Sequence, residues 1–135
     1  MSIVDKKAAK QEYKASHRPM GVFQIRNTQN EKIFVDSSIN VPGKINRLRF
    51  QLNAGVHKDK GLQTEWNEFG ESAFEFEILE PVEPRDDPNY DYAGDLKILE
   101  TLWLEKLEPY GENGYNDRKM TQEERLRMIA ANRKI

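Results

Sequence analysis

MGVFQIRNTQNEKIFVDSSINV, Met20 to Val41, is the stretch whose reading decides the fold. Gly21 to Arg26 alternates apolar and polar side chains, NTQNE supplies turn formers, and KIFVD gives a second strand, so the stretch predicts a hairpin. Ser37 and Ser38 follow as a polar pair at a helix entrance. Two readings of Ser37 stay open: it satisfies backbone groups at the turn, or it bonds to a substrate.

Outward from the hairpin, the period changes at Pro42. Ile45, Leu48 and Leu52 recur at helical spacing, and Gly55 stands where such a helix ends. Leu62, Trp66 and Phe69 predict a second helix closed by Gly70, and Phe74, Phe76 and Ile78 alternate with Glu75 and Glu77 as a third strand with one wet face. PVEPRDDPNYDYAGD, with neither period, reads as an acidic surface loop. Leu96, Leu99, Trp103 and Leu107 define a third amphipathic helix, which Pro109 ends before the turn-rich YGENGYN.

The two ends differ from this centre. Residues 1–18 carry Lys6, Lys7, Lys10, Lys14 and Arg18 with few apolar residues and read as a polar arm. Residues 19–117 form the domain. In 118–135, Thr121 and Glu124 are spaced as a capping box that opens a basic helix carrying Arg125, Arg127, Arg133 and Lys134. Its Leu126 and Ile129 share one side, which either completes the domain's own core or packs against a partner protein or a second copy.

At 135 residues the chain has the size of one domain, and 37% hydrophobic content with 2 Trp, 5 Tyr and 6 Phe is enough to fold it. A net charge of -2 gives no global field for nucleic acid, so any polyanion site is local. No apolar run is long enough to span a bilayer, and MSIVDKKAAK lacks the apolar core of a secretory signal. With 0 cysteines there are no disulfides or thiolate metal sites. A cytoplasmic location without membrane contact is the expectation.

The ordered series GVF, FVDSS, a basic helix, GVHKDKGLQTEWNEFGESAFEFEILE, ETLWLEKL and GYN resembles the GIY-YIG nuclease domain from about Met20 to Asn116. That resemblance implies a small α+β fold, a three-stranded antiparallel sheet flanked by helices, here with an extra C-terminal helix. It also implies phosphodiester hydrolysis with one divalent ion, Mg²⁺ or Mn²⁺. Glu100 matches the family's metal-binding glutamate, Asn116 its terminal asparagine, and His57 a histidine after the first helix. Gly21, Phe23, Phe34, Asp36 and Ser37 occupy motif positions.

The departures are chemical. Phe23 and Phe34 stand where the motif tyrosines do, and phenylalanine has no hydroxyl. Asp36 replaces a glycine, adding negative charge where a phosphate approaches, or an extra ligand if a metal intervenes. Spacing places the family's arginine at Lys44, with Arg47 one turn further on; lysine keeps the charge but not the bidentate fork. Together with Arg49, Lys58 and Lys60 these residues read as a local basic patch for DNA, against the alternative of a solvated helix face.

Two functions are therefore expected from different classes. One is a metal-dependent DNA endonuclease with a diverged centre built from Lys44, Arg47, His57, Glu100 and Asn116. The other is a catalytically inactive module that keeps the fold and binds nucleic acid or a partner protein.

Overall fold

Alternation in the opening stretch produces the hairpin it predicts. β1 (Met20–Asn27) and β2 (Ile33–Ser38) pair antiparallel, with Phe23 opposite Asp36 and Ile25 opposite Phe34. The reversal is closed by Glu31 N–H donating to Asn27 O at 2.7 Å and Asn27 N–H donating to Lys32 O at 2.9 Å. β3 (Phe74–Val82) pairs antiparallel with the other side of β1, giving a sheet of order β2-β1-β3. In this computed structural model, residues 18–117, 126–127 and 129–131 are described. The predicted arm, apart from Arg18, and most of the predicted terminal helix lie outside the described residues.

Gly21 has φ 153°, and its backbone lies so close to the Glu80 carbonyl that an added Cβ has no room. That close approach requires the glycine opening the first motif. Just beyond it the β1–β3 register shifts between Val22 and Phe23, so Phe23 faces Ile78 while Val22 faces Glu80. The extra residue, Leu79, breaks the alternation of β3. Ile78 departs from its predicted core role: although it stands opposite buried Phe23, it is 52% exposed on an outer strand.

The helices start at side-chain caps. Ser38 Oγ accepts from Asn40 N–H at 3.0 Å and Asn40 Oδ1 from Gly43 N–H at 3.1 Å, opening α1 (Val41–Ala54). Gly55, left-handed at φ 76°, ends it. Asp59 caps α2 (Lys60–Phe69) and Asp91 caps α3 (Tyr92–Leu107).

α1 and α2 bury Leu48, Leu52, Leu62 and Trp66 against Phe23, Ile25, Phe34 and Phe74 on one face of the sheet. α3 covers the other face, where Tyr92 and Leu96 pack with Met20 and Val82, and Trp103 Nε1 donates to Glu80 at 3.0 Å. Each exposed sheet face thus removes its apolar stripe from water against a helix layer.

The predicted acidic loop is shorter than its sequence signature. Pro81 and Val82 belong to β3, where an outer strand tolerates proline, and Tyr92 onward belongs to α3. The remaining segment is held by Arg85 N–H donating to the Tyr92 hydroxyl at 2.8 Å and by Tyr90 donating to Asp95 at 2.6 Å. Among the described residues no helix is long and apolar enough to cross a membrane. In the C-terminal segment, Leu126 and Ile129 are exposed, so neither fills the domain's core.

Candidate active site

Because α1 and α3 flank opposite faces of the sheet, their flanks converge beside the outer edge of β2. A cleft of about 1040 Å³ opens there. Its wall takes Phe34 and Asp36 from β2, Lys44 and Arg47 from α1, His57 and Lys58 from the following loop, Glu100 from α3, and Asn116. Residues far apart in sequence are thereby brought to one place. Arg49 and Lys60 are not part of the wall. Arg49 turns toward β3, 3.5 Å from Glu71 and 4.6 Å above the Phe76 ring.

The cleft also contains Lys97 and Tyr110, which the sequence reading does not single out. Lys97 lies one helical turn before Glu100, a spacing that marks it as a neighbour on the same side. Tyr110 sits in a turn-rich segment without period, where sequence carries no such signal.

Phe23 is fully buried in the core and does not reach the cleft, whereas Phe34 lines it. The Phe34 ring meets His57 edge-on, with centroids 5.9 Å apart. His57 is itself 7% exposed; its Nδ1 accepts from Asp59 N–H at 3.0 Å, and its backbone N–H donates to Gln63 Oε1 at 3.0 Å. Burial pushes its pKa below the ordinary value. A neutral imidazole whose Nδ1 accepts carries its proton on Nε2, so this ring offers one N–H donor.

Asp36 Oδ1 accepts from Ser37 N–H at 2.8 Å, and Oδ2 lies 3.7 Å from Lys44 Nζ. Arg47 is exposed on the next turn of α1 and forms no ion pair among the described residues. Ser37 pairs with Val22 on the opposite face from Asp36 and is not in the wall, while Ser38 does the turn bonding.

Asn116 is held on both sides of its amide. Oδ1 accepts from Val35 N–H at 2.8 Å, and Nδ2 donates to Val35 O at 2.9 Å. With Tyr115 N–H on Ile33 O at 2.9 Å and a parallel bridge from Gly114 to Ile33, the GYN segment covers the free edge of β2. Gly114 has no room for a Cβ between the Pro109 and Ile33 carbonyls.

Behind this segment, the Tyr115 hydroxyl donates to Glu65 and accepts from Asn27 Nδ2 at 3.1 Å. Lys32 Nζ lies 3.3 Å from the same Glu65 carboxylate. Burial, then the bond to Glu65, pushes the Tyr115 phenol well above its ordinary pKa. Burial alone raises Glu65, yet bonds from Tyr115, Asn30 and Lys32 hold it below the usual carboxylate value. An ionised acceptor and a neutral donor therefore tie the end of the domain to the hairpin turn.

Among the described residues no three His, Asp or Glu side chains cluster as a metal cage. The oxygen donor of Glu100 instead suits a hard divalent ion that keeps most of its waters and takes one or two protein carboxylates.

No protein-family profile matches the chain. Intron-associated endonuclease 1 of enterobacteria phage T4 is 34% identical over 97 residues, covering 71% of this chain and 36% of that protein. The chain thus spans little more than a third of that relative's length. Among solved structures, the catalytic domain of homing endonuclease I-TevI matches with a TM-score of 0.62 at 29% identity, over 74% of this chain and 99% of that one. A mutant of that catalytic domain gives a TM-score of 0.63 at 30% identity, over 76% of this chain and 97% of that one. The sheet order, the helix placement and this identity over nearly the whole neighbouring domain show that the chain belongs to the GIY-YIG nuclease family.

Proposed function

We propose that the chain is a divalent-metal-dependent DNA endonuclease whose phosphodiester site is the cleft beside β2. The carrying observation is the convergence of Lys44, Arg47, His57 and Glu100 on one cleft. Phosphodiester cleavage needs positive charge and hydrogen-bond donors where charge builds on the phosphate. Arg47 offers a bidentate fork to two phosphate oxygens, and His57 Nε2–H a neutral donor. Glu100 would hold Mg²⁺ or Mn²⁺, an ion that would supply Lewis-acid stabilisation of the attacked phosphate.

Phe23 and Phe34 cannot exchange protons, so the attacking water loses its proton without a motif tyrosine. Absence of a positioned general base costs about 10²- to 10⁴-fold in rate. Slow cleavage is the expected behaviour, and Tyr110 is the phenol available in the cleft wall. A catalytically inactive DNA-binding module is favoured by one feature, the pairing of Lys44 with Asp36.

The test is conversion of supercoiled plasmid to nicked circle by the full chain in Mg²⁺ or Mn²⁺, with EDTA as control. Nicking that EDTA stops supports the nuclease. Salt-sensitive DNA binding without nicking supports the module.

A further inference from the structure

Asp36 stands in the cleft wall between a backbone donor and the Lys44 ammonium. This inference rests on the reading of the cleft as a DNA-phosphate site. Asp36 has both carboxylate oxygens engaged: Ser37 N–H at 2.8 Å fixes its orientation, and Lys44 Nζ stands 3.7 Å from the other oxygen. The side chains of Lys44 and Asp36 are 31% and 21% exposed, so water screens the pair only in part. To serve a phosphate, Lys44 must leave that carboxylate uncompensated beside an incoming anion. Arg47, one turn along the same wall, breaks no pair on binding, and its planar fork matches two phosphate oxygens.

We propose that Asp36 occupies Lys44 in the DNA-free protein and so makes Arg47 the leading phosphate-binding cation, residue 36 setting the affinity of the site. The pair acts as a built-in competitor of the DNA backbone. Removing its acid releases a second cation, and the effect of Lys44 then depends on what stands at position 36.

Fluorescence anisotropy of a short labelled duplex, titrated with the full chain in EDTA at several salt concentrations, reads this dependence. Arg47→Gln is expected to weaken binding about tenfold and to lower the salt slope by about 1. Asp36→Asn, which keeps an acceptor for Ser37 N–H, is expected to tighten binding about three- to tenfold, and Asp36→Ser to do the same. Lys44→Gln is expected to cost about twofold in the native background and about five- to tenfold once Asp36→Asn is present. A loss from Lys44→Gln equal in both backgrounds overturns the proposal. So does weaker binding by both residue-36 variants, the result expected of a carboxylate recruited as a metal or base group, or no salt-sensitive binding by any of the proteins. Plasmid nicking in Mg²⁺ is scored separately. The coupled pattern without nicking keeps this inference and removes the nuclease reading; nicking without the pattern does the reverse.

Discussion

His57 shows how burial changes what a residue can do. Its imidazole is depressed below the ordinary 6.5 chiefly by burial. As pH falls through 6.5 toward that lower value, the unfolded chain takes up a proton that the folded chain refuses, so stability present above this window is lost within it. The urea midpoint is therefore expected to drop between about pH 7 and pH 5, and a His57→Gln protein to show a flatter dependence. Equal slopes for the two proteins contradict this assignment. At Gly21 the constraint is steric: Gly21→Ala forces a side chain into the Glu80 carbonyl at a positive φ and is expected to destabilise by about 2 kcal/mol or more, read as a lower urea midpoint at constant slope.

Among the elements, the edge of β2 is the most consequential. GYN lies along it as a short parallel addition, and Asn116 satisfies both backbone groups of Val35. Asn116→Ala leaves that N–H and C=O without protein partners, at an expected cost of about 1–3 kcal/mol, with faster hydrogen exchange at Val35. Loss of nicking with unchanged exchange assigns Asn116 to chemistry instead. Local periodicity made the hairpin, α1 and α3 legible, because Phe23 and Ile25, or Leu48 and Leu52, report contacts set by nearby sequence. It did not reveal that Ile78 is half-exposed, since that depends on β3 being an outer strand. The same limit explains the site: the motif series led to Lys44, Arg47, His57 and Glu100, but charge counting admitted Arg49, whose packing on Phe76 turns it away. Tyr115 and Glu65 escaped notice because their pairing crosses from the domain's end to α2.

On the scale of the whole molecule, helix layers lie on opposite faces of the sheet, and the cleft forms from their converging flanks beside β2 and the GYN segment that covers its edge. The fold gathers Lys44, Arg47, Lys58 and Lys97 around one cleft together with Asp36 and Glu100, in a chain of net charge -2. Activity depends on whether Glu100 and the cations still act together without the motif tyrosines. The most direct measurement is the initial rate of nicking of supercoiled plasmid in Mn²⁺ by the natural chain and by Glu100→Ala at equal concentration. A slow, EDTA-sensitive rate that falls by about 10²-fold or more in Glu100→Ala is the predicted result. Equal rates from the two proteins, or none from the natural chain while its salt-sensitive DNA binding is intact, contradict a metal-dependent nuclease centre in this cleft.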